Sequence, residues 1–503
     1  MTSEDNFSEE LEAHLTRNGF IWGPEPEIYD SLAGFYTYGP MGKLLKNKLE
    51  DKMSRVFKQE KFYEVEAPII MPEEVWDASG HLETFVDPMV LCSECEGSYR
   101  ADKLIEEDYD VVADGFSDEE LLEFIDDQDI TCPSCGGEFE QDIHDYNLMM
   151  ETRVAGRESY SRPETATTTY LPFKRYWRFF RKKLPIKVFQ IGKAFRNEIS
   201  PRQHVLRGRE FTQAEGQIFV TEEMKHDWDG YDRIRDEEVR LWSAEEQEKE
   251  GSPVTMSLEE AVDSGEVTSE GYAWSLYLAW ELFRSVGIPE DRMRFREHQE
   301  DEKAHYAEDA WDLEVELDSF GWTECCGVHD RGDYDLSQHT EHSPEDLSFK
   351  DNHGKEVMPH ILEIAFGTDR PTFALLDIFF DEEEERLQIP THVAPVDVAV
   401  FPLVTKDGLP DIAEEVYRQL HERRFDVEYD DSGSIGKRYA RQDAKGTALC
   451  VTVDYDTKED DTVTLRERDT SDQVRLNIED LDGAVQTYLY GDAELRELGE
   501  PVE

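Results

Sequence analysis

An α+β architecture is predicted by three features of the sequence. From Lys187 to Val220 apolar and polar residues alternate on both sides of a loop, as KVFQIGKAFRNE, ISPRQHVLRGR and EFTQAEGQIFV, which specifies a long antiparallel hairpin. In GKLLKNKLEDKMSRVFKQE the apolar residues Leu44, Leu45, Leu49, Met53, Val56 and Phe57 recur at helical spacing, the mark of an amphipathic helix. Beyond Pro390 the segments VDVAVFPL, DIAEEVYRQLHERR, FDVEYDD and ALCVTVDYD alternate strand and helix, as in a small α/β domain. The reading is an antiparallel sheet with flanking helices, followed by a C-terminal α/β domain.

Taken in order, Gly39, Pro40 and Gly42 punctuate an aromatic-rich entry to the helix, and FYEVEAPII follows it as a strand. An acidic insertion over 91–140 carries two Cys pairs, and 142–156 brings the chain back to the main domain. After the hairpin, about 225–310 reads mainly as charged helix, broken at Gly251 to Pro253, and is expected as a helical insertion outside the sheet. WDLEVELDSFGWTECCGV returns to strand, and HILEIAFGTDRPTFALLDIFF runs from strand into helix. A boundary near Gln388 separates a domain at 1–388 from a second at 389–503. No internal repeat or low-complexity linker is visible.

The 503 residues, about three domains at ~150 residues each, carry 53 Lys+Arg against 117 Asp+Glu, a formal charge of −64. With 38% hydrophobic and 11% aromatic residues, the chain is too apolar for a disordered acidic tail. Acid is spread over every domain, with peaks at 106–129, which hold twelve Asp/Glu and no Lys or Arg, and at Asp381 to Glu385. Such a spread points to salt adaptation, because dissolved cations screen the self-repulsion. The stretch from Phe173 to Lys193 reverses the trend, with Lys174, Arg175, Arg178, Arg181, Lys182, Lys183 and Lys187 and no acid. It reads either as a helix whose charges pair with acidic neighbours or as a phosphate-facing patch. No apolar run approaches the ~18 residues of a membrane span, and the start lacks the basic and apolar regions of a secretory signal. A cytoplasmic location is expected, with no membrane partner.

Two motifs carry candidate chemistry. Cys92-x-x-Cys95 and Cys132-x-x-Cys135 form two thiolate knuckles, the second followed by Gly136 and Gly137, and four thiolates suit structural zinc. Cys325, Cys326 and Cys450 read as core, and His81, His204 and His329 as structural. In the hairpin, Arg196 and Glu198 share one strand face, as do Phe211, Gln213, Glu215 and Gln217. Arg can clamp a phosphate, a carboxylate can accept amino hydrogens, and an aromatic ring can cover a base. By themselves these residues fit a nucleotide site and a surface ion-pair ladder equally. GSIGKRY is no phosphate loop, since Asp431 stands where Gly is required and Arg438 where Ser or Thr would bind magnesium.

FRNEISPRQHVLRGREFTQAE resembles the second signature motif of class II aminoacyl-tRNA synthetases, and GTDR, ending at Arg370, the third. GFYTYGPMGKLLKN, ASGHLETFVDP, YRADKL, RPETA and SGSIGKRYARQD extend the resemblance through most of the chain, to the glycyl-tRNA synthetases of archaea and eukaryotes. That resemblance implies a class II catalytic domain at 1–388, an anticodon-binding domain at 389–503, ATP with magnesium and glycine as substrates, tRNA-Gly as partner, and a homodimer. It implies that Arg196, Glu324 and Arg370 act in catalysis, Arg196 on the α-phosphate, Arg370 on the γ-phosphate and Glu324 on magnesium. Asn197, Glu198, Leu206, Arg207, Gly208, Arg209, Glu210, Phe211, Cys325, Gly367, Thr368 and Asp369 would complete the ATP site. Arg100, Glu164, Phe211, Thr212, Gln213, Ala214, Glu215, Glu363, Ile364, Ala365, Phe366 and Gly367 would surround glycine, with Glu164, Glu215 and Glu363 aimed at its ammonium. The sequence departs from the family's Glu-Pro-Ser at Glu363, Ile364 and Ala365, and has Gln217 where a second Glu is usual. The alternatives are a synthetase for Thr, Ser or Pro, or a non-catalytic paralogue. The acid spread gives a first prediction: transfer from molar to millimolar KCl lowers the melting temperature, and an unchanged melt contradicts salt adaptation.

Overall fold

The computed structural model describes residues 9–502 apart from 96, 110, 112, 114, 115, 200, 202, 203, 300–306, 352 and 492. Ser200, Arg202 and Gln203 of the expected loop, Asp110 and Asp114 of the acidic peak, and 300–306 of the expected insertion therefore lie outside the described residues. Among the described residues the central sheet has nine strands: β1 (Tyr63–Glu64), β2 (Ile186–Phe195), β3 (Glu210–Val220), β4 (Glu238–Trp242), β5 (Val254–Ser257), β6 (Met293–Glu297), β7 (Asp309–Leu317), β8 (Gly321–Asp330) and β9 (His360–Gly367). Their spatial order is β5-β4-β6-β7-β8-β9-β3-β2-β1. From β6 to β2 every neighbouring pair is antiparallel, and the two parallel pairings, β1 with β2 and β4 with β6, lie outside that run.

One face of the sheet is covered by α1 (Pro40–Gln59), α2 (Glu270–Val286) and α3 (Asp369–Ile378). The spacing in α1 sends Leu45, Leu49, Met53 and Phe57 into one core with Trp274, Leu278 and Phe283 of α2. Phe57 stacks on Phe189 with ring centroids 4.8 Å apart. Alternation in β3 sends Ala214 and Ile218 into that core, which leaves Phe211, Gln213 and Glu215 for the opposite face. Gly216 lies at the closest approach: a Cβ there would stand 2.6 Å from Cε1 of Phe57, so only glycine lets the helix seat against the strand.

The segment 225–310, expected as a helical insertion outside the sheet, instead supplies β4, β5 and β6 and the buried helix α2. Its strands are only four or five residues long, and α2 is buried nearly all round, so neither period stands out. FYEVEAPII also forms less strand than expected, pairing in the central sheet only at Tyr63 and Glu64. The basic stretch forms a helix at Phe173–Phe179. Lys187 lies over the Trp274 ring at 3.8 Å, where burial lowers its pKa to about 8. Lys174 donates to the Ser348 carbonyl.

The Cys-bearing insertion has its own small core of Val90, Leu104, Ile105, Leu121 and Ile125. Its helix Asp118–Asp127 is closed by a reciprocal cap between Ser117 and Glu120. The C-terminal sheet comprises β10 (Val398–Pro402), β11 (Val427–Tyr429), β12 (Leu449–Val453), β13 (Thr462–Glu467), β14 (Gln473–Asn477) and β15 (Glu500–Pro501), in the order β11-β10-β12-β13-β14-β15. β10 runs parallel to both its neighbours, joined to them through α4 (Leu409–Glu422) and α5 (Ile435–Lys445). Lys48 of α1 reaches this domain, with Nζ 2.7 Å from Asp397 and 3.1 Å from Asp426.

A buried ion pair joins α1 to α3. Lys46 Nζ donates to Thr212 Oγ1 at 3.0 Å and to Asp369 Oδ1, while Asp369 Oδ1 also accepts from Tyr38 Oη at 2.7 Å and Oδ2 from the Thr212 backbone N–H at 2.7 Å. Lys46 is only 2% exposed, so its removal strands a buried carboxylate. Lys46→Met is expected to destabilise the protein by about 3–5 kcal/mol in denaturant titration, and a change below ~1 kcal/mol would show that the pair positions nothing.

Candidate active site

A cavity opens on the sheet face opposite α1 and α2, over β3, β9, β8 and β7. Strand alternation delivers Phe211, Gln213 and Glu215 from β3, and Glu363 and Ala365 from β9. Strict alternation would deliver Cys325, Gly327 and His329 from β8 and turn Glu324 away. A register shift at Leu313/Glu314 leaves Cys325 without a cross-strand partner, and with this bulge both Glu324 and Cys325 line the cavity. Burial pushes the Cys325 thiol up to about 12, so it is a neutral wall.

Two guanidinium groups converge at one end. Arg196 follows β2 and its guanidinium carbon lies 5.5 Å from the Phe211 ring centre, with Nε donating to the Pro163 carbonyl at 3.3 Å. Arg370 opens α3, pairing with Glu324 Oε1 at 3.0 Å and donating through Nε to the Leu206 carbonyl at 3.3 Å. Arg370, and then Arg196, hold the Glu324 carboxyl below its usual range against the effect of burial. Arg207 pairs with Glu198 Oε2 at 3.0 Å and closes this side together with Leu206 and Gly208.

The other end is acidic. Glu363, 3% exposed, is saturated: Oε1 meets His329 Nδ1 at 3.2 Å and Arg331 at 3.1 Å, and Oε2 accepts from Tyr170 Oη at 2.6 Å and Gln217 Nε2 at 2.8 Å. Burial alone would raise its pKa, but Arg331, His329 and Tyr170 force it far below the carboxylate range. Gln217 explains itself here, since its amide donates where a second carboxylate would repel. Glu164 is likewise opposed by burial, yet the His81 imidazole, 3.6 Å away, brings it down to about 2. Glu215 is different. It is 1% exposed, among the described residues its Oε2 accepts from the Thr165 hydroxyl alone, at 2.7 Å, and burial, followed by the charges of Glu363 and Glu164, raises its pKa well above normal.

The cavity collects Glu164, Arg196, Glu198, Leu206, Arg207, Gly208, Phe211, Gln213, Glu215, Glu324, Cys325, Glu363, Ala365, Phe366, Gly367, Asp369 and Arg370 of the expected residues. Others point elsewhere. Arg100 pairs with Asp87 at 2.9 Å and with Asp102, and Asn197 donates to Tyr146 Oη at 2.6 Å. Arg209 is spent on the carbonyls of Glu198, Ala33 and Ile199, and Glu210 turns outward to Lys193. Thr212, Ala214 and Ile364 lie on the helix side of the sheet, and Thr368 donates to Glu50. Asp369 reaches the cavity edge with its carboxylate already committed to Lys46. His298, Asp312, His329 and Arg331 line the cavity without having been expected there. In the insertion, Cys92, Cys95, Cys132 and Cys135 bring their four Sγ atoms within 4.8 Å of one another.

Glu215 yields a signed pH effect. Its folded pKa exceeds the unfolded one, so folding takes up a proton, and the associated stability is lost as pH rises from the ordinary carboxylate range through the raised value. Glu215→Gln is therefore expected to gain stability over the parent in alkaline melts and to lose that advantage below the ordinary carboxylate range; a pH-independent difference contradicts this.

Residues 149–379 match the tRNA synthetase class II core domain (G, H, P, S and T), and 397–488 match an anticodon binding domain. The chain is 39% identical to the glycine–tRNA ligase of Thermococcus gammatolerans, covering 96% of this chain and 98% of that one. It is 40% identical to the glycine–tRNA ligase of Methanothermobacter thermautotrophicus, covering 92% and 96%. Among solved structures, prolyl-tRNA synthetase from Cryptosporidium parvum superposes with a TM-score of 0.59 at 16% identity, covering 97% of this chain and 76% of that one, a likeness of fold.

Proposed function

This chain belongs to the class II glycine–tRNA ligases, and we propose that its cavity activates glycine with ATP and then passes the glycyl group to the terminal adenosine of tRNA-Gly. One oxygen of the glycine carboxylate attacks the α-phosphorus, the bond to the β-phosphate oxygen breaks, and pyrophosphate leaves. Arg196 binds the α-phosphate and Arg370 the γ-phosphate, with Arg207 as a further clamp and Phe211 covering the adenine. Glu324, aimed into the cavity between the two guanidiniums, is the residue to hold magnesium, which would neutralise phosphate charge. The protein's part is position and electrostatics, with no covalent intermediate on the enzyme.

The observation carrying this reading is the charge imbalance inside one cavity. At the phosphate end two guanidiniums await anions. At the other end Glu215 is buried with a hydroxyl as its only hydrogen-bond partner among the described residues and no ion pair there, so the site has room for one more cation, which the glycine ammonium supplies. Glu164 and Glu363, already ionised, add to the field that draws the ammonium in. Amino-acid-dependent ATP–pyrophosphate exchange in molar KCl tests this. Glycine alone among glycine, alanine, serine and threonine is expected to stimulate exchange. Glu215→Ala is expected to lower it about thirtyfold or more, matching the ~2–5 kcal/mol of a broken buried charge pair. Near-normal exchange in that variant removes Glu215 from the site.

The four cysteine sulfurs fit a tetrahedral ion, for which Zn–S bonds of about 2.3 Å set sulfurs ~3.8 Å apart. Two of their pairs stand at 3.5 and 3.6 Å. We assign this site a structural zinc that pins the insertion. One zinc per chain by metal analysis, lost in Cys132→Ser, is expected, and its absence from the parent contradicts the assignment. The chain is proposed to work as a homodimer, supported by the exposed Tyr63 of the β1 edge and the exposed Phe179 packed beside it. A reducing, salt-rich cytoplasm is supported by seven free cysteines and the charge of −64, and no described helix is long and apolar enough to cross a membrane.

A further inference from the structure

Three ligand-type side chains on the cavity wall are assigned no contact with glycine or ATP in the activation described, although His329 steadies Glu363. His298, Asp312 and His329 each offer one nitrogen or oxygen within 4.8 Å of the other two. The sheet register brings them together. Ala310 of β7 faces His329 of β8, and Asp312 faces Gly327, so His329 and Asp312 are diagonal neighbours on one face. His298 follows β6 and donates its backbone N–H to the Ala310 carbonyl at 3.0 Å, which sets it diagonal to Asp312 from the other side. Its Nε2 is 2.8 Å from Asp312 Oδ2.

The floor between them is Gly327. A Cβ at that position would lie 2.6 Å from His329 Cε1, 3.3 Å from His329 Nε2 and 3.5 Å from Asp312 Oδ1. Any larger residue would fill the space onto which this nitrogen and oxygen open. His329 Nδ1 is held by Glu363 Oε1 at 3.2 Å. A carboxylate there fixes the proton on Nδ1 and leaves the Nε2 lone pair directed at the same space, the arrangement by which a carboxylate orients a metal-binding histidine. Metal–ligand bonds of about 2.0–2.2 Å put ligand atoms roughly 3.3 Å apart, so side-chain shifts of about 1 Å from the present spacing close the site.

We infer that His298 Nε2, Asp312 and His329 Nε2 form a binding site for one divalent transition-metal ion of the zinc or cobalt class. Two imidazole nitrogens with one carboxylate oxygen favour such ions over magnesium, which takes all-oxygen shells. On binding, His298 moves its shared proton off Nε2, and Asp312 exchanges that hydrogen bond for the metal. A dication here stands against the carboxylate cluster that faces the amino-acid end of the cavity. Its consequence, which rests on the glycine reading, is to weaken the pull on the ammonium and raise the KM for glycine.

Cobalt(II) titration of the chelator-stripped full chain, under reductant and in molar KCl, tests the site without depending on activity. Two equivalents are expected. One shows thiolate charge-transfer absorption from the four cysteines, and the other only ligand-field absorption. His329→Ala and, independently, His298→Ala keep the first and lose the second, with unchanged far-ultraviolet circular dichroism. In parallel, added zinc raises the glycine KM of the parent in exchange assays and not that of His329→Ala. The inference is overturned if the parent shows no equivalent with purely ligand-field absorption, or if both variants retain it at parental affinity. Failure of the glycine reading would instead appear as exchange insensitive to glycine with the second equivalent intact.

Discussion

An excess of buried carboxylate over available cation at one end of a cavity is the constraint on which the rest depends. Glu363 is neutralised by Arg331 and steadied by Tyr170, Gln217 and His329, and Glu164 is answered by His81. Glu215 has a hydroxyl and, among the described residues, no ion pair, with the charges of Arg331 and Arg162 acting on it only from a distance. A buried carboxylate in that position either holds a proton or waits for a cation. Facing it, Arg196 and Arg370 provide positive charge that Glu324 offsets only in part. The cavity is thus polarised along the line a zwitterion and a triphosphate would occupy, ammonium to the acid and phosphates to the guanidiniums. Such a field is useful only if it is rigid, because preorganised charge does not have to rearrange during reaction.

Rigidity comes from the scaffold. Gly216 lets Phe57 press directly on β3, and Lys46 ties α1 to the first turn of α3, where Arg370 begins. The bulge in the β7–β8 hairpin sets Glu324 on the cavity side. The acidic surface stands apart from this machinery. Charge spread over every domain acts on solubility and salt dependence, whereas the few charges inside the cavity are held in place by named partners.

Much of this was legible in the sequence, because a strand's period is a local rule. Period two in EFTQAEGQIFV places Phe211, Gln213 and Glu215 together, and the same rule excludes Glu210, Thr212 and Ala214, which face away. Arg196 and Arg370 were found through motif resemblance and do converge. His298, Asp312, His329 and Arg331 escaped because nothing local joins them; the register of β6, β7 and β8 does. Arg100, expected at glycine, is held by Asp87 and Asp102 apart from the residues that line the cavity. The stretch 225–310 reads as helix although it supplies three strands, because four- and five-residue strands between charged turns carry little period, even where EVRLW and MRFRE alternate within β4 and β6.

The most direct test is a structure of the full-length protein with a non-hydrolysable glycyl-adenylate analogue. The account predicts the ammonium within hydrogen-bond distance of Glu215 and the phosphate analogue contacted by Arg196. An ammonium directed away from Glu215, with that side chain still bonded only to Thr165, would contradict it.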